Sequence, residues 1–251
     1  MQNVNIFTGH ADSYLKGRQG YSDKVYDLLF NDILKPFHQI ADIGSGTGIF
    51  AKILIEHGYD VFCVEPNEDM RSKAIVQFSA NPHFISVASS AESTTLPDDS
   101  VNLVTAASAF HWFDASKFQI ECKRILKPGG IFFAVANARD YTDPFTLRQH
   151  EICMQLCPNF VSLRHGLDKS VPKLKMMFQK DIHHAEFDFP LVYEKEKFIQ
   201  RSLSSSYAPE PGTEASEKYV ELLWELMDEF YPNDNKIKIP NVSAAYWGKL
   251  S

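Results

Sequence analysis

The stretch that decides the fold is Gln39-Ile40-Ala41-Asp42-Ile43-Gly44-Ser45-Gly46-Thr47-Gly48. Its first half is a short, largely apolar run, read as a buried strand. Three glycines at alternate positions follow at once, and residues 49–57 then carry helical spacing up to a stop at Gly58. Glycine has no Cβ, so this turn can adopt unusual φ/ψ values and let a ligand lie against bare backbone. In doubly wound sheets such a turn stands at the carboxyl edge, where ligands bind. Taken alone, the glycines fit a tight strand–helix connection without a ligand equally well.

The same alternation continues outward. Residues 60–65, 84–88, 101–107 and 131–136 are strand-like, 67–77 and 115–126 are helix-like, and Pro128-Gly129-Gly130 reads as a turn. Apolar strands alternating with helices predict an α/β fold with a doubly wound, mostly parallel sheet. Upstream, residues 12–34 read as two short helices broken near residues 17–20. After Asn137 the rhythm changes. Residues 141–180 are helical, 183–192 strand-like and 194–206 helical. Residues 215–231 form an amphipathic helix striped by Tyr219, Leu222, Leu223, Leu226, Met227 and Phe230, and 236–247 reads as a final strand. The organisation expected is cap helices over 1–34, a ligand-binding core over 35–140, and a region over 141–251. In that last region a helical insertion, placed as a lid, precedes the last two strands that complete the sheet.

A chain of 251 residues that is 44% hydrophobic can build a full core. A net charge of −7, without a basic run, argues against a surface that tracks nucleic acid. No apolar run approaches the ~20 residues of a membrane span, and Met1-Gln2-Asn3-Val4-Asn5 has neither the basic start nor the apolar centre of a signal peptide. Cys63 and Cys122 read as small core residues. Cys153 and Cys157 have no further Cys or His at zinc spacing. A reduced, cytoplasmic protein with no metal, no membrane and no nucleic-acid partner is the expectation. His183 and His184, adjacent on a strand, point to opposite faces and make a poor metal pair.

Glu65 sharpens the reading of the glycine turn. It closes the second strand-like run, where a carboxylate can accept hydrogen bonds from the vicinal hydroxyls of a ribose. Together they predict a nucleoside-bearing ligand. The spacing Gly-x-Gly-x-Gly brings the third glycine one residue early for the dinucleotide fingerprint. Asp42 adds a negative charge that would repel a pyrophosphate but suits the sulfonium and ammonium of S-adenosylmethionine.

Four segments, in order, carry a family resemblance: 41–48 (ADIGSGTG), 64–70 (VEPNEDM), Ser90-Ala91-Glu92 with Leu96-Pro97-Asp98, and Leu126-Lys127-Pro128-Gly129-Gly130. They resemble the Rossmann-like S-adenosylmethionine-dependent methyltransferases, most of all the small-molecule group that includes trans-aconitate methyltransferases. The segments 7–21 and Ser204-Ser205-Ser206-Tyr207-Ala208-Pro209 resemble that group too. The resemblance implies a seven-stranded sheet and a cofactor lying against Asp42, Gly44, Ser45, Gly46 and Gly48. Glu65 would hold its ribose, while Pro66, Asn67, Met70, Ser90, Ala91 and Glu92 would lie about the adenine. Many relatives have Asp where this chain has Ser90 or Glu92. Tyr14 and Arg18 would close over the methionine carboxylate.

The stretch Ala107-Ser108-Ala109-Phe110-His111-Trp112-Phe113-Asp114 follows the fourth strand, and the resemblance sets it between cofactor and acceptor. Aromatic faces suit a sulfonium cation. Ser108 is read with the cofactor, Phe113 as core, and His111 and Trp112 as the catalytic pair. His111 is the candidate base for a hydroxyl or amine acceptor, and a carboxylate acceptor would need none. Arg148, Arg164 and Arg201 are candidates to meet an acidic acceptor. The reaction expected is methyl transfer by in-line displacement to a small molecule, a carboxylate or a hydroxyl, by a monomer or homodimer. A nicotinamide-dependent oxidoreductase and a non-catalytic S-adenosylmethionine-binding protein are the competing readings.

Overall fold

The computed structural model describes residues 20–36 and 38–250. In chain order these form α1 (Asp23–Leu28, widening into a π-helical turn over Leu29–Ile33), β1 (Gln39–Ile43), α2 (Ala51–Glu56), β2 (Asp60–Val64), α3 (Glu68–Phe78), β3 (Phe84–Val87), β4 (Val101–Ala107) and α4 (Ala115–Ile125). There follow β5 (Leu126–Arg139), α5 (Pro144–Leu156), α6 (His165–Phe178), β6 (His183–Asp188), β7 (Leu191–Glu194), α7 (Lys195–Leu203), α8 (Glu214–Phe230), β8 (Lys236–Ile239) and β9 (Asn241–Gly248).

Two compact units divide these elements. The first holds the described residues up to Ala136, Lys169–Phe187, and those from Ser243 onward. The second holds Asn137–Asp168 and Asp188–Val242.

The first unit is built on a seven-stranded sheet in the order β3-β2-β1-β4-β5-β9-β6. The pairs β1–β2, β1–β4, β2–β3 and β4–β5 are parallel. Their apolar residues are buried, with Ile40, Leu54, Val61, Leu103 and Phe133 at 0–1% exposure in one cluster. Chain order reverses at β1, whose neighbours are β2 on one side and β4 on the other. The carboxyl ends of these strands therefore border a topological switch point. Polar residues start the helices that follow. Asn67 accepts from Met70 N at 3.0 Å ahead of α3, and Asp114 accepts from Lys117 N at 3.2 Å ahead of α4.

In the second unit, β7 and β8 pair antiparallel, with Leu191 opposite Ile239. Buried Tyr219, Leu223, Leu226 and Met227 form the inner stripe of α8, in one core with Phe145, Cys153 and Phe198. Asp143 caps α5 by accepting from Phe145 N at 2.8 Å, and Pro144 stands in its first turn, where its missing N–H costs nothing.

Three readings of the sequence change. The strand expected over 183–192 is two strands broken before Pro190, which has no N–H for a ladder. The strand expected over 236–247 divides at Pro240: β8 pairs with β7, while β9 joins the large sheet. Pro128-Gly129-Gly130 is not a turn ahead of the strand expected over 131–136. It lies inside β5, where the register jumps from Val101–Leu126 to Leu103–Ile131, with Gly129 at φ +81°. Among the described residues no helix is long and apolar enough to cross a membrane, and no group of three or more His, Cys, Asp or Glu could hold a metal. All four cysteines are buried and free.

Candidate functional site

The glycine turn hangs on the two strands beside it. Gly44 N and Ser45 N both donate to Val64 O, at 2.8 and 3.2 Å, and Gly48 N donates to Ser45 O at 2.9 Å. All three glycines have positive φ: +68°, +57° and +83°. Their surroundings differ. A Cβ on Gly44 would lie 2.7 Å from Ala109 Cβ, and one on Gly48 would lie 2.6 Å from Phe78 Cε2. A Cβ on Gly46 would meet nothing within 4 Å. Gly44 and Gly48 are thus needed for packing, whereas Gly46 borders open space that only a residue without a side chain leaves free.

Glu65 follows β2 directly and is 8% exposed. Its Oε2 accepts from Gly46 N at 2.9 Å and its Oε1 from Asn67 N at 2.8 Å. Burial pushes its carboxyl above the usual range, while these two amides and the Arg71 guanidinium oppose the rise. Each carboxylate oxygen accepts more than one hydrogen bond, so both keep capacity for a ligand's hydroxyls. Asn67 spends its side chain on capping α3, Met70 is buried behind it, and Pro66 is exposed.

Asp42 is fully buried. Its Oδ1 accepts from Thr105 Oγ1 at 2.7 Å, while Oδ2 has no hydrogen-bond partner among the described residues. Desolvation raises its pKa to about 7. The Thr105 bond works against the rise, and the charge of Glu65 adds to it. Such a group stabilises the fold fully below its unfolded pKa near 3.8, and that stability is lost as pH rises through about 7. Between pH 5 and pH 8 the wild type should therefore lose roughly 2–3 kcal/mol more stability than Asp42→Asn. Urea unfolding at the two pH values measures this, and parallel profiles would contradict the assignment.

The segment after β4 closes the site. Ser108 has φ +53°; its N donates to Val135 O at 2.7 Å and its Oγ accepts from Tyr21 at 2.9 Å. Phe110 and Phe113 are buried, at 3% and 9% exposure, and Trp112 is 40% exposed with its ring centroid 4.7 Å from that of His111. After β3, Ser90 bridges to Ser93, Ala91 is buried, and Glu92 Oε1 accepts from Asp114 N at 3.0 Å, tying this segment to the one after β4. Further along, buried Glu121 of α4 gathers Thr94 N, Thr94 Oγ1 and Arg124, and Arg124 reaches Asp98 at 2.6 Å. Although burial opposes it, Arg124 and Thr94 hold Glu121 down to about 2.

The expected residues from Asp42 to Trp112 thus stand on four neighbouring segments at the carboxyl ends of β1 to β4. Tyr14 and Arg18 lie outside the described residues. Reading the sequence passes over Thr105 and Tyr21. A polar residue within the apolar run 101–107, in register with Asp42, is the signal that marks Thr105.

A glycine turn and a buried acid at the switch point of a doubly wound sheet define an α/β protein built to hold a nucleoside. The family described as "Methyltransferase domain" matches residues 41–134. An uncharacterized methyltransferase-like protein of Schizosaccharomyces pombe is 30% identical over 215 residues, 77% of this chain and 83% of its own. The chain belongs to the methyltransferase family, whose cofactor is S-adenosylmethionine. An uncharacterized methyltransferase of Mycobacterium tuberculosis is 34% identical over 134 residues, so the match takes in about half the length of either chain, 53% of each. Among solved structures, a protein of Anaeromyxobacter dehalogenans assigned as a type II methyltransferase superposes with a TM-score of 0.63 at 19% identity, over 92% of this chain and 97% of its own. The YcgJ protein of Bacillus subtilis gives 0.54 at 17%, over 91% and 99%. At these identities the likeness describes the fold.

Proposed function

We propose that this chain transfers a methyl group from S-adenosylmethionine to a small molecule carrying a carboxylate or hydroxyl, as a cytoplasmic monomer or homodimer. The observation that carries the reading is the junction of Gly46 and Glu65: a backbone bare of side chain, beside a buried carboxylate with acceptor capacity to spare. The resemblance to the trans-aconitate methyltransferase group supplies the small-molecule acceptor. When bound, S-adenosylmethionine supplies an activated methyl group on a sulfonium.

The chain's own residues would do the rest. Glu65 accepts from the two ribose hydroxyls, and the open side of Gly46, with Gly44 and Ser45, lines the methionine portion. Pro66, Met70 and the Ser90–Ala91–Glu92 segment flank the adenine, while Asn67 keeps its helix cap. Asp42 adds a carboxyl poised to ionise near neutral pH, which a cationic ligand favours and a pyrophosphate opposes. Gly48 works through packing, and Ser108 shapes the wall beside the reacting centre. Tyr14 and Arg18 would hold the methionine carboxylate. Positioning of this kind supplies up to roughly 7–11 kcal/mol of a transfer's barrier.

His111 would take the proton from a hydroxyl acceptor, or orient a carboxylate that has none to lose, with Trp112 excluding water beside it. His111→Ala should therefore lower turnover about 10²- to 10⁴-fold on a hydroxyl acceptor with little change in cofactor affinity. The assay uses labelled methyl donor and a metabolite extract, following S-adenosylhomocysteine. A fully active variant would remove His111 from the mechanism, and absence of turnover with bound cofactor would favour the non-catalytic reading.

A further inference from the structure

The face that α4 and α6 turn to solvent differs in charge from the rest of the chain. Residues 169–180 carry four lysines, Lys169, Lys173, Lys175 and Lys180, and no acid, in a protein of net charge −7. These residues belong to the first unit, as does α4. Two contacts hold the helices side by side. Gln119 Nε2 donates to Met177 O at 3.3 Å, and Lys173 Nζ donates to Phe113 O, just ahead of α4, at 3.4 Å. Buried Leu174, Met177 and Phe178 mark the inner side of α6, and buried Phe118, Cys122 and Ile125 that of α4.

Away from those buried stripes, Lys169, Lys173, Met176 and Lys180 follow one another at i, i+4, i+7 and i+11, along α6 and just past its end. On α4, Lys123 comes four residues after Gln119 and so stands on the side of α6, with Ile120 beside it. Ile120 is 72% exposed and Met176 is 77% exposed. Elsewhere surface lysines pair with an acid three or four residues away, as in Lys52–Glu56, Lys197–Glu194 and Lys218–Glu221. Among the described residues Lys123, Lys169, Lys175 and Lys180 make no such pair. The acids bordering the face are Asp181 and Asp114, the latter paired with Lys117 at 3.6 Å, while Glu121 is buried against Thr94.

We propose that this face docks on an anionic phospholipid bilayer, with α4 and α6 lying in the plane of the headgroups. Ile120 and Met176 enter the acyl boundary. The lysines lay their apolar stems beside them and carry their ammonium groups to the lipid phosphates. Among the described residues no helix spans a bilayer, and lying in the headgroup plane makes no such demand. A second copy of the chain suits the face poorly, because a twofold contact sets lysine against lysine. Nucleic acid suits it poorly too. The face has neither arginine forks nor stacking aromatics, and two protruding aliphatic side chains gain nothing from a phosphate backbone.

Co-sedimentation of the full chain with phosphatidylcholine vesicles, and with vesicles of phosphatidylcholine and phosphatidylserine at two to one, tests the proposal. Binding is expected only where phosphatidylserine is present, and high salt should abolish it. At about fivefold for each lysine lost, the double variant Lys169→Gln, Lys180→Gln should bind at least tenfold more weakly. Met176→Ser should bind about threefold more weakly or worse. Both should melt close to wild type, since these side chains are exposed. Lys218→Gln, on α8, should bind as wild type. No binding to either vesicle, equal binding to both, or undiminished binding by the lysine variant would overturn the proposal. So would lysine-dependent binding of DNA or heparin without binding to vesicles, or a dimer that Met176→Ser dissociates.

Discussion

Glu65→Ala should bind S-adenosylmethionine about tenfold to a hundredfold more weakly than wild type, measured as a dissociation constant by calorimetry. Hydrogen bonds to a charged group contribute about 1.5–3 kcal/mol, and about 1.4 kcal/mol is a factor of ten. The variant loses more than the ligand's bonds. Gly46 N and Asn67 N would lose the carboxylate that holds them at 2.9 and 2.8 Å. Glu65→Gln separates these effects, because one carbonyl oxygen and the side chain's shape survive; part of the affinity should return. Unchanged affinity in Glu65→Ala would put the ribose elsewhere. A wild type silent toward both the methyl donor and its demethylated product at millimolar levels would remove the cofactor reading itself.

Alanine at two glycines of one turn should fail in two different ways. Gly44→Ala forces a Cβ to within 2.7 Å of Ala109 Cβ at φ +68°, and neither side has a flexible end to yield. Overpacking costs about 1–3 kcal/mol and the left-handed backbone about 1–2 more, so the expected loss is roughly 2–5 kcal/mol. For a chain of this size that lowers the melting temperature by several degrees at least. Gly46→Ala bears only the backbone cost, since its Cβ meets nothing within 4 Å. It should stay folded within about 1–2 kcal/mol of wild type yet bind the cofactor markedly less well. Equal melting temperatures for the two variants would contradict the division between packing and ligand-facing glycines.

That division shows where the sequence stops being legible. The order of elements from residue 39 to 136 is readable because most of the strands are short apolar runs and two of the three helices have a visible start, at Asn67 and Asp114. Which glycine is packed and which is open depends on Phe78 and Ala109, brought close only by folding. The burial of Asp42 depends on the register that sets Thr105 opposite it, and nothing local announces a carboxyl at zero exposure. Pro190 and Pro240 are plain in the sequence, but the apolar runs on either side of them look continuous. Sheet pairing alone decides that β8 and β9 part company.

Glu121 is the knot through which the residues after the third strand are laced to α4. Its carboxylate stays ionised in the folded protein until pH falls toward about 2, and the stability it contributes is fully present above its ordinary value of 4.5 and is lost progressively as pH falls from there through about 2. In a vinegar-like solution at pH 3–4, where most surface acids are taking up protons, this lacing stays tied. Exchange of the Thr94 amide with heavy water should stay slow there, and its sudden release near pH 2 would mark the moment that the knot slips.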